Sequence, residues 1–193
     1  MRRAGRWKRP YLVPATLIIL VAASWGAYTI YSKNKQPIND DDAPVILLHN
    51  PAIGQHRPEF VLPDMSGTPR NIKEWDKQIL IVNFWATWCK PCRREIPVFT
   101  QLQKSKGQLG LQFIGIAIDE KPAVSKFISE LGTPVNYPML VGEDDAITIA
   151  KKYGNEFGIL PYSVIIDRAG QIAFIQYGEF SRSKVEQQIN ALL

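Results

Sequence analysis

Cys89 and Cys92 are the residues of this 193-residue chain best suited to chemistry, and they are its only cysteines. A CxxC loop is too short to constrain much of an unfolded chain, so a structural staple gains little there. A structural zinc site needs about four ligands, and the only histidines, His49 and His56, fall in a stretch without periodicity. No metal site is expected within the chain. Covalent haem attachment asks for a histidine directly after the second cysteine, and Arg93 occupies that place. The remaining mechanistic reading of an isolated pair at this spacing is thiol–disulfide exchange, which needs no other cofactor.

The flanking sequence says how the pair is held. Gln78–Trp85 is a strongly apolar run, the best candidate for a central strand buried on both faces. From Lys90 to Lys106 the pattern is helical, with Ile96, Phe99 and Leu102 on one side and a kink expected at Pro97. Cys89 therefore stands where a strand passes into a helix. Unpaired N–H groups and the positive end of the helix dipole stabilise a thiolate there, and Lys90 adds a positive charge. Cys89 is the nucleophile candidate. Cys92, one turn in, is expected to be less exposed and to act as the resolving thiol. Pro91 can enter a helix without loss and stiffens the loop between the sulfurs. Trp88 is expected to pack around the sulfurs and, with Lys90 and Pro91, to meet the substrate, and Trp85 is expected to belong to the core.

Around this junction the chain alternates strands and helices. Glu59–Leu62 and Thr68–Ile72 suggest a small hairpin. Leu111–Ile118 reads as a second buried strand, and Pro122–Leu131 and Asp144–Tyr153 as helices. Ser163–Asp167 and Gln171–Tyr177 read as strands joined by a turn. Ser181–Leu192 closes the chain as an amphipathic helix with Ser181 as its N-cap. That order describes an α/β domain, residues 59–193, with a mixed central sheet and helices on both faces.

The net charge of +5 resides at the amino terminus. Residues 1–35 hold seven basic residues and no acidic ones, which leaves sixteen basic against eighteen acidic in the remainder. Nucleic-acid binding thereby loses its main support. Pro10–Ser32 contains no charged residue and as a helix would reach roughly 35 Å, enough to cross a bilayer with some tilt. Aromatic residues cluster towards its ends, and five basic residues precede it against two just after it. A single transmembrane anchor is expected, with residues 1–9 cytoplasmic and the domain outside. Val21-Ala22-Ala23 also offers small residues for signal-peptide cleavage, a reading under which the domain is exported all the same. Residues 33–58 read as a tether.

The stretch Val82–Pro97, with its WATWCKPC core, closely resembles the active-site segment of extracytoplasmic thioredoxin-like proteins of the TlpA, ResA and CcmG type. The resemblance runs from about Phe60 to the carboxyl terminus and takes in Phe60–Asp64 and the later Leu160-Pro161 and Val164–Asp167 segments. It implies a thioredoxin-like fold at a bacterial inner membrane. Pro161 matches the proline that is cis in that fold and faces the CxxC, with Leu160 offering backbone groups to a substrate. Glu95 matches a carboxylate associated with proton transfer near the second cysteine; the alternative is a solvated helix glutamate. Asn83 stands where cytoplasmic thioredoxins have a buried aspartate. Tyr162 departs from the small residue common after the proline and is expected to narrow or redirect the substrate groove. Arg93 and Arg94 read as a solvated helix face or as a contact for an acidic partner.

The resemblance further implies that the chain reduces disulfides of exported proteins, apocytochromes c or metallochaperones among them. A membrane thiol transporter of the CcdA/DsbD kind would recharge it. Two other readings stay open. A thiol peroxidase would share the scaffold, but needs a threonine-flanked cysteine with an activating arginine that this chain lacks. A Cu(I)-binding holdase could use the dithiol, since soft thiolates suit that ion, without support from any methionine or histidine cluster.

Overall fold

The computed structural model describes residues 50–193. A small antiparallel hairpin, β1 (Val61–Pro63) and β2 (Pro69–Asn71), leads into a 3-10 turn at Ile72–Trp75. Asn71 and Glu74 cap that turn reciprocally: the Asn71 side chain accepts from the Lys73 amide, and Glu74 accepts from the Asn71 amide. Then follow β3 (Ile79–Trp85), α1 (Lys90–Lys106), β4 (Leu111–Ala117), α2 (Lys121–Glu130), β5 (Met139–Val141), α3 (Glu143–Lys152), β6 (Tyr162–Ile166), β7 (Ile172–Tyr177) and α4 (Arg182–Asn190).

The five longer-range strands form one mixed sheet in the order β5-β4-β3-β6-β7. β3, β4 and β5 run parallel, while β6 and β7 are antiparallel additions on the other side. The continuous apolar run of β3 is explained by its place at the centre, where all seven residues are buried. Its side chains alternate between faces. Ile79, Ile81 and Trp85 meet Ile96, Phe99 and Leu102 of α1, Phe127 of α2, and Val185 and Ile189 of α4. Leu80, Val82 and Phe84 meet Ala146, Ile149 and Ala150 of α3, together with Leu62 and Trp75. Each fully buried side chain of this size contributes about 1.5–3 kcal/mol. Packing on the first of these faces holds α1 over the sheet, and with it the cysteines at its first turn. The helix runs through Pro97 without interruption. Ser181 is the N-cap of α4, but its hydroxyl meets Ser183 rather than a helix amide.

The folded region reaches further back than the expected start at Glu59. Residues 50–58, read from sequence as part of a tether, are fastened to the β6–β7 end of the sheet. Gly54 and Arg57 donate to the carbonyls of Ile172 and Gly170, and Ile172 donates to Gln55. Buried Asn50 donates to the Gly154 carbonyl at 2.9 Å and to the Tyr177 hydroxyl at 2.7 Å. Gly154 takes a positive φ of 94°, and a Cβ there would meet Asn50 Oδ1 at 2.5 Å.

Tyr162 corrects a second expectation. Its ring is fully buried on the α3 face of the sheet, between Phe84 and Tyr177. Its hydroxyl donates to the Tyr153 carbonyl at 2.9 Å and accepts from Asn50. Strand alternation accounts for this: Tyr162 and its neighbour Ser163 point to opposite faces, and the cysteine-bearing face receives Ser163. The tyrosine therefore does not narrow a groove at the cysteines. The expected membrane span, Pro10–Ser32, lies outside the described residues, as does the tether from 33 to 49. Among the described residues no helix is long and apolar enough to cross a membrane.

Candidate active site

Four residues connect β3 to α1, and the turn is closed by the Cys89 amide donating to the Ala86 carbonyl at 3.2 Å. Cys89 is the N-cap of α1, in extended geometry, and its sulfur accepts the Cys92 amide at 3.3 Å. That contact and the free helix end direct positive potential at the Cys89 sulfur. The first turn carries no acidic residue to oppose it, and Lys90 is exposed beside it. Pro91 lies in that first turn, where its missing amide hydrogen costs nothing. Cys89 and Cys92 are joined as a disulfide with a Cα–Cα separation of 5.3 Å. Cys89 keeps 6% of its surface exposed and Cys92 none. A partner can reach only the first sulfur.

Trp88 does not pack around the sulfurs. It is 69% exposed, because the tight turn sends its side chain outward while Ala86 and Cys89 turn in. It stands as an apolar plate beside Cys89 rather than as a cover over it. Thr87, just before it, is held from the β4–α2 loop: its amide donates to Asp119 Oδ2 at 3.0 Å, and its hydroxyl donates to the same oxygen.

Beneath the helix lies a polar group that the surrounding core makes conspicuous. Glu95, one turn beyond Cys92 on the same side of α1, is 1% exposed. The solvated-glutamate alternative does not hold. Glu95 Oε1 accepts the Phe180 amide from the β7–α4 loop, and Oε2 accepts Asn83 Nδ2 at 3.2 Å. Asn83 Nδ2 also reaches Ser163 Oγ at 3.0 Å, its direct cross-strand partner on β6. Burial pushes the Glu95 carboxyl up to about 8, against the pull of the Phe180 amide and the Asn83 amide, which favour the charged form. A carboxyl at that value exchanges its proton near neutral pH.

The third side of the site is the loop before β6. The Leu160–Pro161 peptide is cis, as the resemblance implied. Pro161 is buried, and its carbonyl accepts the Gly178 amide at 2.9 Å. Leu160 packs against the cluster that contains both cysteines. Buried Asn155 braces the loop with a reciprocal pair of hydrogen bonds to the Ile159 backbone, at 2.9 and 3.0 Å. Arg94 is engaged by Glu179, and Arg93 lies over the Phe127 ring at 4.9 Å.

The site thus gathers Cys89, Cys92, Glu95, Lys90, Pro91 and Trp88 on one junction, with Leu160 at its border. Ser163, Phe180, Thr87, Asp119 and Asn155 were not singled out from sequence. Ser163 alone left a signal, as a small polar residue inside an apolar strand; the others act through backbone groups or loops distant in the chain. Among the described residues there is no group of three or more His, Cys, Asp or Glu placed to hold a metal ion.

Comparison with known proteins agrees with this geometry. The AhpC/TSA family matches residues 53–175, more than half of the chain. The thiol-disulfide oxidoreductase ResA of Geobacillus kaustophilus is 28% identical over 189 residues, covering 96% of this chain and 98% of the relative. ResA of Bacillus thuringiensis is 32% identical over 135 residues, covering 69% and 75% of the two chains. Among solved structures, a thiol:disulfide interchange protein of the thioredoxin family from Chlorobium tepidum superimposes with a TM-score of 0.64 at 29% identity, covering 73% of this chain and 97% of that one. With a reachable sulfur at a helix start, a sealed one behind it and relatives of this kind along its length, the chain belongs to the AhpC/TSA family and is a thiol–disulfide oxidoreductase with a thioredoxin-like fold.

Proposed function

We propose that the protein is a membrane-tethered reductant of disulfides in exported proteins, with Cys89 as nucleophile, Cys92 as resolving thiol and Glu95 as the base that serves Cys92. The observation that carries this reading is the asymmetry of the pair. Cys89 has an exposed edge and positive potential, whereas Cys92 is sealed over a buried carboxyl.

The Cys89 thiolate attacks one sulfur of a substrate disulfide; that S–S bond breaks, and the leaving thiolate takes a proton from water. The mixed disulfide places the substrate beside Trp88 and the Leu160-Pro161 segment, where an apolar residue near the substrate cysteine can lie against Trp88. Cys92 then gives its proton to the Glu95 carboxylate and attacks the Cys89 sulfur. The second substrate sulfur leaves as a thiolate and is protonated in turn. Two electrons have passed to the substrate, and the pair is left as the disulfide seen here.

The uncharged stretch Pro10–Ser32, with five basic residues before it, supports a single anchor with the dithiol on the extracytoplasmic side. Disulfides of apocytochromes c or metallochaperones are the substrate class that the resemblance favours. A membrane thiol transporter of the CcdA/DsbD kind is its source of electrons. Equilibrating the protein with glutathione tests the direction. A reductant has a potential in the range of thioredoxin, about −270 mV, whereas a value near that of DsbA, about −120 mV, would remove the reductase reading.

A further inference from the structure

Asp119 lies outside the CxxC helix and far from it in sequence, yet it is bound to the loop that presents the nucleophile. Its Oδ2 takes both the amide and the hydroxyl of Thr87, two residues before Cys89, and its Oδ1 takes the Glu120 amide at 3.0 Å. A second link runs alongside, with the Ile118 amide donating to the Trp85 carbonyl at 2.8 Å. The β4–α2 loop therefore grips the β3–α1 loop at both ends of Trp85–Thr87. Backbone pairing gives the grip at Trp85, and the Asp119 side chain gives it at Thr87. The side-chain link adds a carboxylate, half-exposed, held at a fixed position beside the turn that carries Trp88 and Cys89.

We propose that Asp119 is a positioning residue that also sets the redox poise of the pair. Its carboxylate locks the Ala86–Cys89 turn through Thr87. Its negative charge offsets part of the stabilisation that the helix end and Lys90 give the Cys89 thiolate. Reducing the disulfide creates thiolate character at Cys89, so a fixed anion nearby disfavours the reduced form and makes the dithiol a better electron donor. The inference deepens the proposed reductant role and rests on it for its biological sense.

Other charged groups on the surrounding elements are Lys90 and Arg93 on α1, Glu95 beneath it, Glu120 and Lys121 beyond Asp119, Glu156 before Pro161, and Glu179, which Arg94 engages. All are unchanged in the variants that test the idea, so a shift between variants belongs to Asp119.

The experiment compares D119N, D119E and T87V in the full-length protein. Each is equilibrated with glutathione, and Cys89 alkylation is followed against pH. In D119N an amide oxygen remains to accept from Thr87 while the charge is gone. Its glutathione equilibrium should move roughly fivefold towards the reduced protein, and the alkylation profile should shift to lower pH. D119E, which restores the charge, should return both towards wild type. T87V keeps the carboxylate and loses only one hydrogen bond, so its equilibrium should stay within about twofold of wild type even if its melting temperature falls. Wild-type values for both equilibrium and profile in D119N would overturn the inference. So would a T87V shift as large as that of D119N, because the lock alone would then explain it. A strongly oxidising wild-type potential would instead overturn the reductant role and leave the variant shift intact, so the two failures are distinguishable.

Discussion

Asn83 Nδ2 donates to Glu95 Oε2 at 3.2 Å and so joins the central strand to the helix that carries both cysteines. The same amide nitrogen reaches Ser163 Oγ at 3.0 Å, which fixes its orientation from the neighbouring strand. An aspartate at position 83 would face Glu95 with a second carboxyl, and the two could not both ionise at neutral pH. With asparagine there, one buried carboxyl has a donor on each oxygen and a proton affinity near the working range.

Glu95→Gln should separate the two halves of the reaction. The glutamine cannot take the Cys92 proton, so resolution of the mixed disulfide should slow about 10²-fold, while its formation by Cys89 changes little. In wild type the resolving rate should rise as pH increases through about 8, because the ionised carboxylate is the base. Single-turnover kinetics against pH reads both effects; an unchanged limb in the variant would assign that ionisation elsewhere.

The same carboxyl makes stability depend on pH. Its folded value, about 8, lies above the ordinary carboxylate value, so the folded state holds this proton more tightly than the unfolded chain. The resulting stabilisation is fully present below the ordinary carboxylate range and is lost as pH rises through about 8. Thermal melting of the oxidised protein, in which neither cysteine titrates, should show a steady fall between pH 5 and 8.5. Glu95→Gln should flatten that fall.

Tyr162→Phe tests whether this ring belongs to the scaffold. The variant leaves the Tyr153 carbonyl without its donor in a buried place, and stability should drop by about 1–3 kcal/mol. Reduction of a protein disulfide should proceed at the wild-type rate. Altered substrate preference at unchanged stability would return Tyr162 to the groove.

How much of this was legible in the sequence depends on the range of the interaction. The CxxC junction was readable because an apolar strand, a tight turn and a helix follow one another locally, and because α1 places Cys92 and Glu95 one turn apart. The mixed sheet followed from the order of its elements. Glu95's burial was not decidable from its helix alone; it depends on Phe180, 85 residues away, and on the Asn83–Ser163 register across two strands. The place of Tyr162 after Pro161 points to the groove, whereas strand alternation sends the ring to the opposite face. Residues 50–58 look like a tether in sequence because backbone pairing and the side chain of Asn50 hold them, and neither leaves a periodic pattern. Asp119 was invisible for a related reason: a single loop carboxylate has no spacing signature.

Trp88→Ala should weaken recognition without touching the fold. At 69% exposure the side chain contributes little to stability, so melting should stay within about 0.5 kcal/mol of wild type. KM for a protein disulfide should rise several-fold while turnover of a small disulfide is unchanged. Equal losses on both substrates would mean that Trp88 acts on the sulfurs and not on the partner.

The most direct test of the central claim is a trap. With Cys92→Ala, attack by Cys89 on a substrate disulfide cannot be resolved, and the partner should remain covalently attached. Peptide mapping should place the linkage at Cys89, and Cys89→Ser in the same background should abolish it. Accumulation of exported proteins joined through Cys89 is the predicted result. If no mixed disulfide accumulates in cells, or if the linkage forms without Cys89, the account of this pair as a protein-disulfide reductant is contradicted.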